Sequence, residues 1–221
     1  MKSVFITRKL SANSPIYSLS TELNFNLYDL PLINIVKIPF SYTPQTNWIF
    51  FSSKNSIRYF FEQNPNIPHN VKCGVVGQAS ANELLNYFKS VDFVGKGNDV
   101  VKIAKDFREI LGNESVLFPQ AMDSLQTIQK QIAFTNTVHN LYTYKTINKT
   151  IFEVPYADIL IFTSPSNVKT YFTKYKIDER QIIVAMAAST KYALSEYGVR
   201  NAIMPEEFTE ESISLLIKEL I

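Results

Sequence analysis

Two segments rich in Ser and Thr stand where an apolar run gives way to a helical pattern. These are residues 52–55 and residues 163–166, and Pro165 suits a first helical position because its missing N–H would have no partner there. A helix that begins after a strand exposes unpaired N–H groups and partial positive charge, which favours an anion. Ser and Thr commonly do no more than cap a helix. The occurrence of the segment in both halves of the chain favours a ligand site.

Three further segments have the residues of a helix start. Residues 80–83, Ser-Ala-Asn-Glu, have the capping-box pattern, in which the hydroxyl accepts from the third residue's N–H and the Glu reaches back. Ser189 with Thr190 is interpreted in the same way, and so is Thr209. Glu210 and Glu211 would then lie in a first turn, where the helix dipole favours negative charge.

The sequence offers little for covalent, metal or nucleotide chemistry. One cysteine, Cys73, and two histidines argue against a zinc site or a Cys–His nucleophile. Gly-x-Gly-x-x-Gly after the first strand, the phosphate loop, His-Glu-x-x-His and Gly-x-Ser-x-Gly are all absent. The formal net charge of +2, without a basic cluster, argues against nucleic-acid binding. We expect no metal and no cofactor, and a protein that holds and shapes a small ligand.

Apolar runs of strand length alternate with helical patterns along the chain. Ile57, Phe60 and Phe61 show the helical spacing. This alternation predicts an α/β fold in which helices cover both faces of a parallel sheet. The predicted strands are 3–7, 33–39, 48–52, 72–76, 92–95, 115–118, 138–146, 159–163, 182–186 and 201–204.

An internal repeat indicates a tandem duplication. Residues 49–61 match residues 160–172 at an offset of 111, residues 75–80 match 185–190 at 110, and residues 3–6 match 115–118 at 112. Each half could form a lobe, or the chain could cross between lobes twice. The helix-less apolar runs 33–39 and 138–146 favour crossing. We therefore expect a discontinuous outer lobe (1–37 and 148–221), an inserted middle lobe (40–140) and linker strands near 33–39 and 138–146.

The N-terminal pattern and the length of the apolar runs indicate where in the cell the protein is expected. The N-terminus leads directly into a strand pattern, and no run approaches the roughly 18 apolar residues of a membrane span. We expect a cytoplasmic protein without a membrane partner. Cys73, within the apolar run 71–76, and Trp48 are expected in the core.

Six motifs in order resemble the uroporphyrinogen-III synthase family, over essentially the whole chain. They are Val4-Phe-Ile-Thr-Arg8, Ile49-Phe-Phe-Ser-Ser-Lys-Asn55, Val76-Gly77 with Ser80-Ala81, Val138-x-x-Leu-x-x-Tyr144, Ile161-Phe-Thr-Ser-Pro-Ser-Asn-Val168 and Thr190-x-x-Ala193-Leu194. The resemblance implies two similar α/β lobes joined by a two-stranded linker. It also implies a cofactor-independent reaction in heme biosynthesis, in which hydroxymethylbilane, a linear tetrapyrrole, loses water and closes with inversion of ring D.

The resemblance also assigns roles to residues. Tyr144 matches the family's linker tyrosine and would be the proton donor, although a tyrosine packed on a linker strand would look the same. Arg8 could pair with a substrate carboxylate or be an exposed strand-end residue. Substrate-binding groups, mostly backbone N–H, are implied at Thr7, Arg8, Ser52, Ser53, Asn55, Gly77, Ser80, Thr163, Ser164, Ser166 and Thr190. Two departures from the family pattern are Ala187, where Gly is frequent, and Asp123-Ser124, where an arginine is expected.

Two other functional classes are open at this point. A two-lobed binding or sensor protein could keep the scaffold without the chemistry. A receiver-like interaction module is disfavoured by the duplication and by the lack of an acidic pocket. We expect a monomer with a tetrapyrrole substrate and no nucleic-acid partner.

Overall fold

The computed structural model describes residues 1–97, 99–207 and 209–221. In chain order the elements are β1 (Ser3–Ile6), α1 (Pro15–Glu22), β2 (Asn26–Asp29), β3 (Ile33–Lys37), β4 (Trp48–Phe51), α2 (Lys54–Phe61), β5 (Lys72–Val75), α3 (Gln78–Leu84), β6 (Phe93–Val94), α4 (Val100–Leu111), β7 (Val116–Ala121), α5 (Thr127–Ile132), β8 (Val138–Asn148), β9 (Ile159–Phe162), α6 (Pro165–Phe172), β10 (Ile182–Ala185), α7 (Ala188–Ser195) and α8 (Glu210–Leu220).

Contacts divide the chain into two compact units. The terminal unit consists of Met1–Asn34 and Ile147–Ile221, and the central unit consists of Ile35–Thr146. In the described ranges, no helix has both the length and the apolar character needed to cross a membrane.

The terminal unit contains a four-stranded parallel sheet in the order β10-β9-β1-β2. Every residue of β1 and β9 is buried because helices cover both faces, which explains why these strands are apolar throughout. Phe5 and Phe162 belong to the core on one face, and Ile6 and Ile161 to the core on the other. The apolar runs therefore predict these central strands well.

The central unit is built on a six-stranded sheet in the order β3-β8-β7-β4-β5-β6. Phe50 and Phe107 pack on one face, with ring centroids 4.6 Å apart. Ile49 and Cys73 lie in the core of the other face, and Trp48 is 2% exposed, so the predicted core positions of Trp48 and Cys73 are confirmed.

The sequence repeat corresponds to a structural repeat. The matched segments are β4-α2 with β9-α6, β5-α3 with β10-α7, and β7 with β1. In both sheets the equivalent strands are neighbours in the same order, β7-β4-β5 in one and β1-β9-β10 in the other. The same unit therefore places the same turns at the carboxyl edge of each sheet.

Edge strands are where the sequence prediction fails. The predicted strand 201–204 is wrong as a strand, because it is reduced to one bridge between Val184 and Ile203. Strand β2 was not predicted, because its residues alternate between exposed and half-buried positions and include Asn26 and Asp29. Polar residues are tolerated there because β2 lies at the end of the sheet.

Candidate active site

Helix α2 of the central unit begins at the carboxyl edge of β4. Ser53 is its N-cap: the Oγ atom accepts from the backbone N–H of Ser56 at 3.1 Å, and Ser56 Oγ accepts from the N–H of Ser53 at 3.3 Å. Ser52 is exposed just before this cap, and Asn55 is half-buried in the first turn. The predicted turn 52–55 is thus confirmed as a helix start.

Tyr144 lies on β8 beside this helix start. Its phenol is hydrogen-bonded to Ser53, with Oη and Oγ 3.2 Å apart, and the residue is only 8% exposed. Burial raises the pKa of Tyr144 above its usual value, the hydrogen bond with Ser53 opposes this, and the charge of Asp123 adds to it. Tyr144 is therefore protonated at neutral pH and has a proton to donate.

A cavity of about 230 Å³ opens at the same edge of the central unit. Ser52, Val76 and Ser124 are among its lining residues, together with residues 125–129. Beside it Gln129 donates to Gln120 Oε1 at 2.6 Å, and Gln120 Nε2 is buried without a partner among the described residues. The space is too small for a whole tetrapyrrole and suits one part of a larger ligand.

Two of the predicted caps are wrong. Helix α3 begins after Gly77 and helix α7 after Ala187, and neither residue makes a side-chain cap. Ser80 and Thr190 therefore lie inside the first turns, and Ser189 lies inside α7 with them. Ser80 and Thr190 are buried, and Thr190 Oγ1 has no hydrogen-bond partner in the part of the chain described. Both helices start earlier because an extended N-cap backbone, with φ −178° and −152°, requires no particular side chain.

The departure at Ala187 carries no backbone strain. Gly77 is its counterpart in the repeat, and both residues have an extended backbone. A Cβ added to Gly77 would meet only Gly95 O at 4.0 Å. Glycine is therefore not required in this turn. The alanine at position 187 keeps the same backbone N–H as the glycine at position 77.

At the carboxyl edge of the terminal unit, Thr7 and Thr163 join two strand ends. Thr7 is 1% exposed, and its Oγ1 accepts from the N–H of Thr163 at 2.9 Å, while Thr163 Oγ1 donates to Thr7 O at 3.1 Å. Ser164 caps α6 by accepting from the N–H of Asn167 at 3.3 Å, and Pro165 occupies the first helical position, as predicted. Ser166 is half-buried in that first turn.

Asn167 organises this turn and was not predicted. It is 2% exposed, accepts from the N–H of Leu32 at 3.0 Å, and donates to Ser164 Oγ at 2.9 Å. Its partner Leu32 is 135 residues away. Only the repeat could have drawn attention to it, because Asn167 matches Ser56 of the central unit.

Arg8 is already paired within the terminal unit. Its Nη2 lies 2.5 Å from Glu210 Oε1, and Ser14 donates to the other carboxylate oxygen of Glu210. Arg8 Nε is buried and lacks a partner among the residues described. Thr209 caps α8, as predicted, which places Glu210 at its first position. The sequence indicated Glu210 as a helix-dipole residue and missed its pairing with Arg8.

Another cavity of the terminal unit lies away from these turns. It measures about 610 Å³, and its lining includes Phe172, Tyr197 and Gln181. These residues precede β10 or follow α7, whereas the predicted site residues follow the strands. None of the predicted site residues lines it.

The chain is similar to known proteins over its full length. A family model described as uroporphyrinogen-III synthase HemD matches residues 18–214. A uroporphyrinogen-III synthase from Chlorobaculum parvum is 26% identical, and the match covers 100% of both chains. The crystal structure of a uroporphyrinogen-III synthetase from Helicobacter pylori has a TM-score of 0.77 at 18% identity and covers both chains completely.

A second solved structure has the same fold. It is a mutant uroporphyrinogen III synthase from Thermus thermophilus, with a TM-score of 0.65 at 15% identity, covering 100% of this chain and 99% of that one. These structures support the fold, and the family model supports the assignment. The chain belongs to the uroporphyrinogen-III synthase family of tetrapyrrole biosynthesis.

Proposed function

We propose that this protein is a lyase that cyclises hydroxymethylbilane to uroporphyrinogen III, with loss of water and inversion of ring D. The observation that carries the proposal is the buried phenol of Tyr144 at the start of α2, in a chain whose family match spans residues 18–214. A phenol that stays protonated at neutral pH can donate its proton to the departing hydroxyl.

In this mechanism Tyr144 gives its proton to the hydroxymethyl oxygen. The C–O bond breaks, its electron pair leaves with the oxygen as water, and the pyrrole supplies electrons to form an azafulvene. Closure through a spiro intermediate follows. The pyrrole system gives up one proton in net terms during closure, and this proton returns to Tyr144, so that water is the only group lost.

We further propose that the terminal and central units are the outer and middle lobes, and that each carries groups suited to substrate carboxylates at its own carboxyl edge. Helix α2 begins at one edge and α6 at the other, each with a serine N-cap and first-turn N–H groups suited to carboxylates. Arg8 would supply a positive charge, in competition with Glu210.

Positioning must provide much of the catalysis. Hydroxymethylbilane closes unaided to the uninverted isomer, so the enzyme must outrun that reaction and choose the direction of closure. Holding reacting groups in one geometry can contribute roughly 7–11 kcal/mol, more than a single general acid usually supplies. The proposal requires no cofactor.

The test is incubation with freshly generated hydroxymethylbilane at neutral pH, with the two isomers separated chromatographically. We expect the protein to form isomer III in excess over isomer I and to consume the substrate faster than buffer alone does. Isomer I alone, formed at the rate found in buffer, would contradict it. Tight substrate binding without turnover would instead support a binding protein on the same scaffold.

A further inference from the structure

Ser53 has a hydrogen-bonding arrangement that goes beyond helix capping. The capping box with Ser56 is reciprocal, and Ser56 Oγ also donates to Ser53 O at 2.7 Å. These bonds fix both the backbone and the side-chain rotamer of Ser53. Its Oγ atom is therefore held in place beside Tyr144 by the start of the helix itself.

The hydrogen-bonding positions of the Ser53 hydroxyl are only partly used by helix capping. A serine hydroxyl has one proton and two acceptor positions. One acceptor position of Ser53 Oγ takes the N–H of Ser56, and its other contact among the described residues is Tyr144 Oη at 3.2 Å. The Ser53 proton is therefore available to the phenol oxygen.

We propose that Ser53 is a positioning residue that donates its hydroxyl proton to Tyr144 Oη when Tyr144 gives up its own. This inference rests on the proposed function, in which Tyr144 is the acid. In the resting state either hydroxyl can donate to the other. Once the Tyr144 proton has moved to the departing hydroxyl, the phenolate oxygen accepts from Ser53, whose other lone pair stays bound to Ser56. Ser53 itself is never deprotonated.

The surroundings of Tyr144 make such a donor necessary. Burial disfavours the phenolate, and Asp123 and Tyr59 also raise the pKa of Tyr144. The hydrogen bond with Ser53 is the contribution that lowers it. The segment Asp123-Ser124 stands where the family resemblance implies an arginine, so this segment brings the negative charge of Asp123 and no positive charge. The Ser53 donor offsets part of that loss.

Four substitutions of Ser53 separate capping from proton donation. Asn and Asp are both good N-caps, but only Asn carries an N–H that can reach Tyr144. Ser53→Asn and Ser53→Asp are therefore the matched pair. Ser53→Thr keeps both functions and serves as the conservative control. Ser53→Ala removes the donor without adding a charge.

The first measurement is turnover of hydroxymethylbilane. We expect Ser53→Thr to stay within about threefold of wild type and Ser53→Asn within about tenfold. In Ser53→Asp the carboxylate holds the Tyr144 proton, and kcat should fall by roughly 100-fold or more, within the range of a lost acid. Equal thermal midpoints for the Asn and Asp variants would show that the difference is not one of folding.

The second measurement needs no substrate. Tyrosine labelled with ¹³C at Cζ, with the Tyr144 signal assigned through Tyr144→Phe, reports the phenol titration directly. We expect the pKa of Tyr144 to be higher in Ser53→Ala than in wild type, and Ser53→Asn to restore it.

The two measurements distinguish the two proposals. If wild type does not form isomer III, the proposed function fails, and the titration still decides whether Ser53 donates to Tyr144. If Ser53→Ala titrates like wild type, or if the Asn and Asp variants turn over equally, the role of Ser53 is overturned while the proposed function stands.

Discussion

The ring of Tyr59 stacks on the ring of Tyr144, with centroids 5.4 Å apart and planes inclined by 29°. Tyr59 lies on α2, the helix that Ser53 caps, and its hydroxyl donates to Ile35 O at 3.4 Å. One helix therefore supplies both the hydrogen bond and the stacking surface that fix Tyr144.

Tyr59→Leu should lower turnover more than Tyr59→Phe. Phe keeps the ring that confines Tyr144 and loses only a long hydrogen bond, whereas Leu removes an aromatic pair worth about 0.5–1.5 kcal/mol. We expect kcat to fall by roughly 3- to 10-fold in the Leu variant and to change little in the Phe variant. Steady-state assays check this, and equal losses in both would show that stacking does not position Tyr144.

Tyr144→Phe should cause a large but incomplete loss of turnover. The substitution keeps the ring and its packing and removes the proton, so the loss should lie within about 100- to 10,000-fold. The remaining enzymatic product should still be isomer III, because binding geometry survives. Unchanged kcat would remove the tyrosine from the mechanism.

The pH profile gives an independent check on Tyr144. Because its pKa is raised by burial, the protonated acid persists at least to the pH at which a free tyrosine, near 10, would ionise. The alkaline decline that depends on Tyr144 should therefore have its midpoint above pH 10 and be absent from Tyr144→Phe. A decline near neutral pH that disappears in this variant would contradict the assignment.

Arg8 and Glu210 should have opposite effects on substrate affinity. If Arg8 binds a substrate carboxylate, Glu210 competes for the same guanidinium. Arg8→Gln should then raise KM several-fold with a smaller change in kcat, and Glu210→Gln should leave KM unchanged or lower it. KM values for the two variants, with folding checked by circular dichroism, decide this. An equal rise in both would make the pair purely structural.

Local patterns in the sequence predict the central strands and several helix starts. Strands β4 and β9 are buried on both faces, so their apolar runs are unbroken and end within one residue of the predicted limit. Helix starts at Ser53, Ser164 and Thr209 can be predicted because a side-chain cap requires a hydroxyl or similar acceptor at that position. The helix starts at Gly77 and Ala187 cannot be predicted in this way, because their N-cap residues have an extended backbone and no side-chain cap.

The arrangement of the candidate site depends on sheet order, which local patterns do not contain. Ser53 and Tyr144 are 91 residues apart and meet because β7 alone separates β8 from β4. The pairing of Arg8 with Glu210 spans 202 residues. The sequence therefore indicates which residues could act, and the fold decides which of them meet.

Gly95 and Gly77 should respond differently to an added methyl group. A Cβ at Gly95 would lie 2.5 Å from Val76 O and 2.8 Å from Ile103 Cγ2, whereas one at Gly77 has no neighbour closer than 4.0 Å. Gly95→Ala should lower the free energy of unfolding by about 1–3 kcal/mol, and Gly77→Ala should change it by less than about 0.5 kcal/mol. Urea unfolding of both variants tests this, and equal stability would show that the backbone near Gly95 adjusts at little cost.

Cys73 should make the protein lose stability in alkali. Burial, with a smaller contribution from Asp92, raises the pKa of the Cys73 thiol from 9.0 to about 12. Between these values the thiol ionises in the unfolded chain but not in the folded one, so the unfolded state binds fewer protons and stability falls as pH rises. The contribution of Cys73 to the fall in the free energy of unfolding approaches about 1.4 kcal/mol per pH unit above pH 9 and vanishes well below it.

Cys73→Ala should be less stable at pH 8, because it removes a buried sulfur, but should lose less stability between pH 8 and pH 10. Urea midpoints at the two pH values measure the difference. Parallel declines in wild type and variant would mean that the folded state ionises this thiol as readily as the unfolded chain does.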